Sequence, residues 1–238
     1  MTHNAFVTDD WLLDERAHAG PEHLDPDFIA GFDLKQGHPD PSEDLALLER
    51  HGLTGSSTVL DIGAGTGQFA VPAARRFGRV VAVEISPAMR DVLRERAVRE
   101  GLGSLECVAA GFLTYEHTGA PADAVFTRHA LHQLPDFWKA LALTRIAGTL
   151  RTGGILRLHD LIYDFGPQEA ETVIEDWLAE APDDPTLGYT RDDLAEHVRT
   201  EHSTFRWLLE PMLTAAGFDV LDAEFRTPVF GAYTCVKR

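Results

Sequence analysis

Residues 59–70 read Val-Leu-Asp-Ile-Gly-Ala-Gly-Thr-Gly-Gln-Phe-Ala, an order with the makings of a ligand cradle. An aliphatic run carries Asp61 at its end, glycines follow at alternate positions 63, 65 and 67, and an apolar helical pattern begins after them. Glycine lets the backbone turn without a Cβ in the way, so a ligand can lie directly against main-chain atoms. A second aliphatic run, 80–83, closes on Glu84, where a carboxylate can accept both hydroxyls of a ribose. Loop and spaced acid together point to a nucleoside-bearing ligand. A dinucleotide fingerprint would need Gly-x-Gly-x-x-Gly, and the position of its last glycine holds Gln68. An NAD(P)- or flavin-dependent Rossmann oxidoreductase is therefore the weaker reading.

Residues 127–134, Thr-Arg-His-Ala-Leu-His-Gln-Leu, follow another apolar run. Ligands of open α/β sheets lie beyond the carboxyl ends of the strands, where Arg128 and His129 would stand. Histidine titrates near neutrality, so His129 is the first candidate for a general base toward a hydroxyl or amine. The competing reading makes it a wall or positioning residue. His132, three residues on, is a weaker catalytic candidate. His159 and Asp160 end the run 155–160, one expected near the pocket and the other in packing, with Asp160 the secondary candidate for substrate contact. The His-x-x-His spacing of 129 and 132 lacks any further ligand run, so no metal is expected. Neither a Ser/His/Asp order with a nucleophile elbow nor a defined pair of carboxylates is present.

The elements that must position these residues alternate as in a doubly wound α/β sheet. Strands are expected at 58–62, 80–84, 105–109, 123–127 and 155–160, then at 219–224 and 231–236. Helices are expected at 43–50, 67–77, 87–100, 136–150 and 204–216. Ser86 and Pro87 open the third of these as N-cap and first residue, and Gly101 closes it. Pro72 is tolerable only near the first turn of its helix. Gly153 and Gly154 read as the turn into the fifth strand. Residues 161–202 are the least regular part and read as a helical cover over the sheet. Of the aromatics, Trp11, Phe28 and Phe32 read as packing anchors, as do Trp177, Phe205 and Trp207, rather than as groups that close on a ligand.

Acidic groups outnumber basic ones, 38 to 21, for a formal net charge of -17, which opposes the phosphate neutralisation that nucleic-acid binding needs. The two cysteines form no Cys-x-x-Cys or Cys/His ligand spacing, which fits a reducing cytoplasm. Neither a leader pattern nor an apolar run near the ~20 residues of a membrane span is seen, so a cytoplasmic protein without membrane contacts is expected. A homodimer is left open.

The run from Asp61 to Gly67, with Glu84 after it, resembles motif I and the following acidic position of the class I S-adenosylmethionine-dependent methyltransferases. The element order from about residue 42 onward is similar to theirs. The resemblance implies an α/β fold with a mostly parallel seven-stranded sheet, helices on both faces and an antiparallel last hairpin. It divides the chain into an N-terminal extension or lid, 1–41, and a methyltransferase domain, 42–238, carrying the cover at about 161–202. It implies that Asp61, Gly63, Ala64, Gly65 and Gly67 hold the methionine end of S-adenosyl-L-methionine, with S-adenosyl-L-homocysteine as product. Glu84 would hold the ribose, Ile85 and Met89 one face of the adenine, and Ser86 a loop contact. Arg128 and His129 would border the methyl group. Leu150-Arg-Thr-Gly-Gly154 is similar to the family's Leu-x-Pro-Gly-Gly turn, with Thr152 in the proline's place.

One departure concerns adenine. Many members carry an Asp after the third strand, and this chain reads Ala109-Ala-Gly111-Phe112. Backbone groups at Gly111 and Phe112, or a distant side chain, must then satisfy the adenine edge. The function implied is methyl transfer to an O, N or C atom of a small neutral or cationic molecule. A non-catalytic S-adenosylmethionine-binding regulatory or assembly protein is the alternative.

Overall fold

The computed structural model describes residues 11–20 and 26–238. The Phe28 side chain lies outside the described residues. Helices α1 (Pro26–Lys35) and α2 (Ser42–Arg50) precede an alternation of β1 (Thr58–Ile62), α3 (Ala70–Ala74), β2 (Arg79–Glu84), α4 (Pro87–Arg99), β3 (Leu105–Ala109), β4 (Ala122–Arg128), α5 (Asp136–Thr149) and β5 (Leu150–Tyr163). The cover contributes α6 (Ala170–Ala179) and α7 (Arg191–Thr200). The chain closes with β6 (Thr204–Phe205), α8 (Arg206–Ala215), β7 (Phe218–Thr227) and β8 (Phe230–Lys237).

The main sheet runs β3-β2-β1-β4-β5-β8-β7, with β6 pairing to β5 off this path. Strands β1 to β5 are parallel, and β8 lies antiparallel between β5 and β7. The expected seven-stranded architecture is therefore present, with one short addition. Its cause is legible in β1, where the side-chain period of two sends Leu60 and Ile62 into the core on one face and Val59 into the core on the other. A strand covered on both faces must be almost wholly apolar, and β2 is so up to Glu84. Strand order reverses between β1 and β4, so their carboxyl ends diverge into a crevice.

Three elements differ from expectation. The helix after the glycine loop spans only Ala70–Ala74, because residues 67–69 remain in the turn that shapes the loop; Pro72 is its third residue, within the first turn. The fifth strand begins at Leu150, since Gly153 at φ +75° lets the backbone pass a register shift opposite Ala122 and Ala124 without leaving the ladder. Thr204 and Phe205 pair with Ile162 and Tyr163 before their helix starts, tying the end of the cover to the sheet.

Candidate cofactor and acceptor site

The crevice opens into a cavity of about 860 Å³. Its floor is the glycine loop. Gly63 N–H and Ala64 N–H both donate to the Val83 carbonyl, at 2.9 and 3.1 Å, and Gly65 N–H donates to Glu84 Oε2 at 2.8 Å. The other Glu84 oxygen accepts from Ser86 N–H at 2.7 Å, so one buried carboxylate fixes the loop and the start of α4 together. Gly63 has φ +76°, and a Cβ there would lie 2.4 Å from the Ala130 Cβ. At Gly65, φ +54°, a Cβ would point between Met89 and Phe32. Helix α1 grips the loop from outside: Asp33 Oδ1 accepts from Thr66 Oγ1 at 2.5 Å and from Gln68 Nε2 at 3.0 Å.

Asp61 stands beneath this loop at 2% exposure, with Oδ2 buried and without a hydrogen-bond partner. Burial, reinforced by the nearby Glu84 charge, pushes its carboxyl up to about 8. An orphaned carboxylate oxygen in a pocket wall is a place made for a donor or a cation.

At the end of β3 the polar group comes from elsewhere in the chain. A Cβ on Gly111 would fall 2.4 Å from Glu15 Oε1 and 2.6 Å from its Oε2, so Glu15 fills the place of a side chain at position 111. Glu15 Oε2 accepts from Leu113 N–H at 3.0 Å and from Thr114 Oγ1 at 3.3 Å. Burial raises the Glu15 carboxyl above its usual range, against these hydrogen bonds.

The opposite wall carries the histidines. His129 has φ +49° and donates its backbone N–H to the His159 carbonyl at 2.9 Å. Its ring stacks on Phe230 with centroids 5.6 Å apart. Burial drives it down to about 3, which makes it a neutral imidazole. His132 is the reverse case. Burial disfavours its charge, yet Asp160 and Glu201 on either side raise it to about 10. Asp160 accepts from the His132 backbone N–H at 2.9 Å and meets Nδ1 at 2.5 Å, and Glu201 Oε2 lies 2.9 Å from Nε2.

Most sequence-predicted residues meet at this cavity. Asp61, Gly63, Ala64 and Gly65 line it from the first strand and its loop, and Glu84, Ile85 and Met89 from the second. Gly111, Phe112, Arg128, His129 and His132 line it from the third and fourth. Gly67 and Ser86 do not. Gly67, at φ +88°, lets α4 pack closely, since a Cβ would meet Leu93 at 3.1 Å; the Ser86 hydroxyl caps α4 by accepting from Met89 N–H at 3.3 Å. Asp160 stands behind His132 and does not line the cavity, while His159 turns to the other face of the sheet, 2.8 Å from Asp44 Oδ1. Trp11 stacks on Trp138 as an anchor, and Phe32 and Trp177 reach the cavity wall.

Glu15, His197 and Glu201 are the groups that reading the sequence missed. The four-residue spacing of His197 and Glu201 is the available sequence signal for the last two.

A family of methyltransferase domains matches residues 59–154. An uncharacterized methyltransferase of Mycobacterium tuberculosis (strain ATCC 25618 / H37Rv) is 36% identical over 111 residues, 47% of this chain and 54% of that protein, so the chain spans about half of that relative's length. The uncharacterized methyltransferase YrrT of Bacillus subtilis (strain 168) is 31% identical over 163 residues, covering 68% of this chain and 70% of its own. Among solved structures, geranyl diphosphate C-methyltransferase from Streptomyces coelicolor A3(2) superposes with a TM-score of 0.62 at 14% identity, covering 83% of this chain and 79% of that one. Magnesium protoporphyrin IX methyltransferase from Synechocystis PCC 6803, with bound S-adenosylmethionine, gives 0.57 at 16% identity over 88% and 81%. The [4+2]-cyclase SpnF gives 0.62 at 17% identity over 82% and 80%. At such identities the likeness is one of fold, and the fold carries more than one kind of reaction.

Proposed function

The chain belongs to the class I S-adenosylmethionine-dependent methyltransferase family, and from that premise we propose that it transfers the cofactor's methyl group to a small organic acceptor enclosed by the cover. One observation carries the reading: Asp61, in the cavity wall, keeps a buried Oδ2 without a hydrogen-bond partner beside a loop whose glycines leave backbone atoms bare. A primary ammonium group at the end of an amino-acid tail satisfies that oxygen. Arg128 lines the same cavity, and its guanidinium has no ion-pair or hydrogen-bond partner among the described residues, which suits the carboxylate of that tail. Glu84 lies at the carboxyl end of β2 in reach of ribose hydroxyls, and Met89 offers an apolar face to the adenine.

Glu15 completes the adenine side. Its carboxylate occupies the space that an Asp at position 111 would fill, and so supplies from residues 11–20 the acceptor that the third strand lacks. The segment then does two things, closing the cavity and reading the base.

S-adenosylmethionine supplies a methyl group already activated on sulfonium. The chain's own residues align the acceptor and keep out water. His129 is a neutral, weakly basic ring stacked on Phe230 and acts as wall, while His132 is held between two carboxylates. Neither is a ready proton acceptor, which favours acceptors that need little help in losing a proton. Trp177, Leu194 and Phe230 give the cavity an apolar side, and the net charge of -17 favours neutral or cationic acceptors over nucleic acid.

Calorimetry with S-adenosylhomocysteine should give micromolar or tighter binding. Radiolabelled S-adenosylmethionine with a metabolite extract should then yield a labelled small product. Binding without label transfer would leave a cofactor-binding module, and heat with neither nucleoside would overturn the assignment of the loop.

A further inference from the structure

On the wall facing the glycine loop, three side chains converge on one point from two segments far apart in sequence. His132 comes from the turn 131–133 after β4, His197 from the last turn of α7, and Glu201 from the extended residue that follows that helix. Glu201 Oε2 lies 2.9 Å from His132 Nε2 and 2.6 Å from His197 Nδ1. The three atoms all lie within 4.8 Å of one another, and all three residues line the cavity. The two segments are pinned together by a main-chain bond from His202 N–H to the His132 carbonyl, 2.9 Å long.

We propose that His132 Nε2, His197 Nδ1 and Glu201 Oε2 bind a divalent first-row transition ion, with the remaining coordination positions open to the cavity.

Three features beyond proximity point to this. The first is the orphaned oxygen. Glu201 Oε2 is buried and close to two ring nitrogens, yet makes no aligned hydrogen bond with either, so the donor atoms crowd a common point without satisfying one another. A tetrahedral ion with ligand bonds of about 2.1 Å needs its ligands about 3.4 Å apart, so the two oxygen–nitrogen separations of 2.9 and 2.6 Å would each open by less than 1 Å.

The second is the outer ring of contacts. The far nitrogen of each imidazole is engaged: His132 Nδ1 by Asp160 at 2.5 Å, and His197 Nε2 by Ser203 Oγ at 2.8 Å. This is how metal-bound histidines are oriented and kept basic, with the carboxylate behind one of them strengthening it as a donor. The third is charge. Asp160 and Glu201 flank His132 in a buried place, and a divalent cation answers two carboxylates better than a single proton does. Two imidazoles and one carboxylate are borderline donors that suit zinc, iron or cobalt and not magnesium or calcium, which take oxygen.

The site stands without any assumption about methyl transfer. Only its consequence rests on that reading: an acceptor held there would carry an oxygen, nitrogen or sulfur donor able to complete the ion's coordination.

The test uses the full chain made without a histidine tag, freed of metal by a chelator and titrated with zinc alone against a chromophoric competitor. One zinc per chain with sub-micromolar affinity is expected. His197→Ala and Glu201→Gln should each weaken it by about 100-fold or more, and Asp160→Asn by about 10- to 100-fold. The exposed His51→Ala should leave it unchanged. S-adenosylhomocysteine affinity, read by calorimetry on the same His197→Ala and Glu201→Gln proteins, should hold, which shows that the cavity is intact. Absence of stoichiometric zinc uptake, or uptake indifferent to both ligand substitutions, overturns the site and leaves the cofactor reading as it was. Zinc binding in a protein that ignores S-adenosylhomocysteine does the opposite.

Discussion

The two walls of the cavity are built by opposite means. On the glycine-loop side, Asp61 and Glu84 sit in adjacent strands and Gly63 and Gly65 in the loop after the first, and main-chain bonds set their geometry: Val83 C=O to the loop, and Glu84 to two backbone N–H groups. On the facing side, His132, Glu201 and His197 come from separate segments, held mostly by side-chain contacts with Asp160 and Ser203. The first wall tolerates few changes of residue, because backbone conformation and space dictate them. The second can be rebuilt one side chain at a time, which suits a surface that must match one acceptor.

The largest break in this comparison should come at Gly63. Gly63→Val places a branched Cβ at φ +76° against Ala130, costing about 3 kcal/mol or more, and should abolish S-adenosylhomocysteine binding in calorimetry with a lowered melting temperature. Next, Glu84→Ala removes the loop clamp and the ribose acceptor; an affinity loss of about 1 to 3 kcal/mol, tenfold or more, is expected. An unchanged affinity would move the ribose elsewhere.

The loop wall also has a pH signature. Asp61 keeps its proton in the free protein up to about 8, whereas in the unfolded chain it ionises near the ordinary value of 3.8. The folded state therefore binds the extra proton, and this group's contribution to stability falls as pH rises between those values. An ammonium group placed on Asp61 requires the ionised form, so S-adenosylhomocysteine should bind more tightly with rising pH, by up to about tenfold per unit, and level off above about 8. Asp61→Asn should flatten that slope. A flat profile in the unaltered protein would take the ammonium away from Asp61.

Glu15, packed against Gly111 at the end of β3, can be tested by exchange. Glu15→Ala should weaken S-adenosylhomocysteine by about 1 to 2 kcal/mol, and Gly111→Asp alone should also weaken it because two carboxylates would compete for one space. The double substitution should recover affinity. Failure to recover would leave Glu15 as a packing residue. The smallest effect is expected at His129, where replacement by Ala should change turnover by no more than about twofold while affinity holds. A large fall in rate would restore it as a base.

The loop wall was legible in the sequence because everything that makes it is local. Glycines at 63, 65 and 67 follow an aliphatic strand, and Glu84 follows the next, so strand periodicity and turn chemistry place them without knowledge of the rest. The same logic gave the order of strands and helices, missing where pairing overruled a short-range signal, as at Gly153 in β5 and at Thr204 in β6, and where residues 67–69 stay in the loop turn ahead of α3.

Tertiary structure alone decided the partners. Nothing about Glu15 marks it in sequence, yet it fills the space left open at Gly111. His132 looked like half of a His-x-x-His pair, but the chain turns at 131–133 so that its neighbours are Asp160, His197 and Glu201, while His129 faces Phe230. Backbone conformation depends on near neighbours and is written where it acts. Burial and charge depend on every segment that arrives, and only the folded chain brings those segments together.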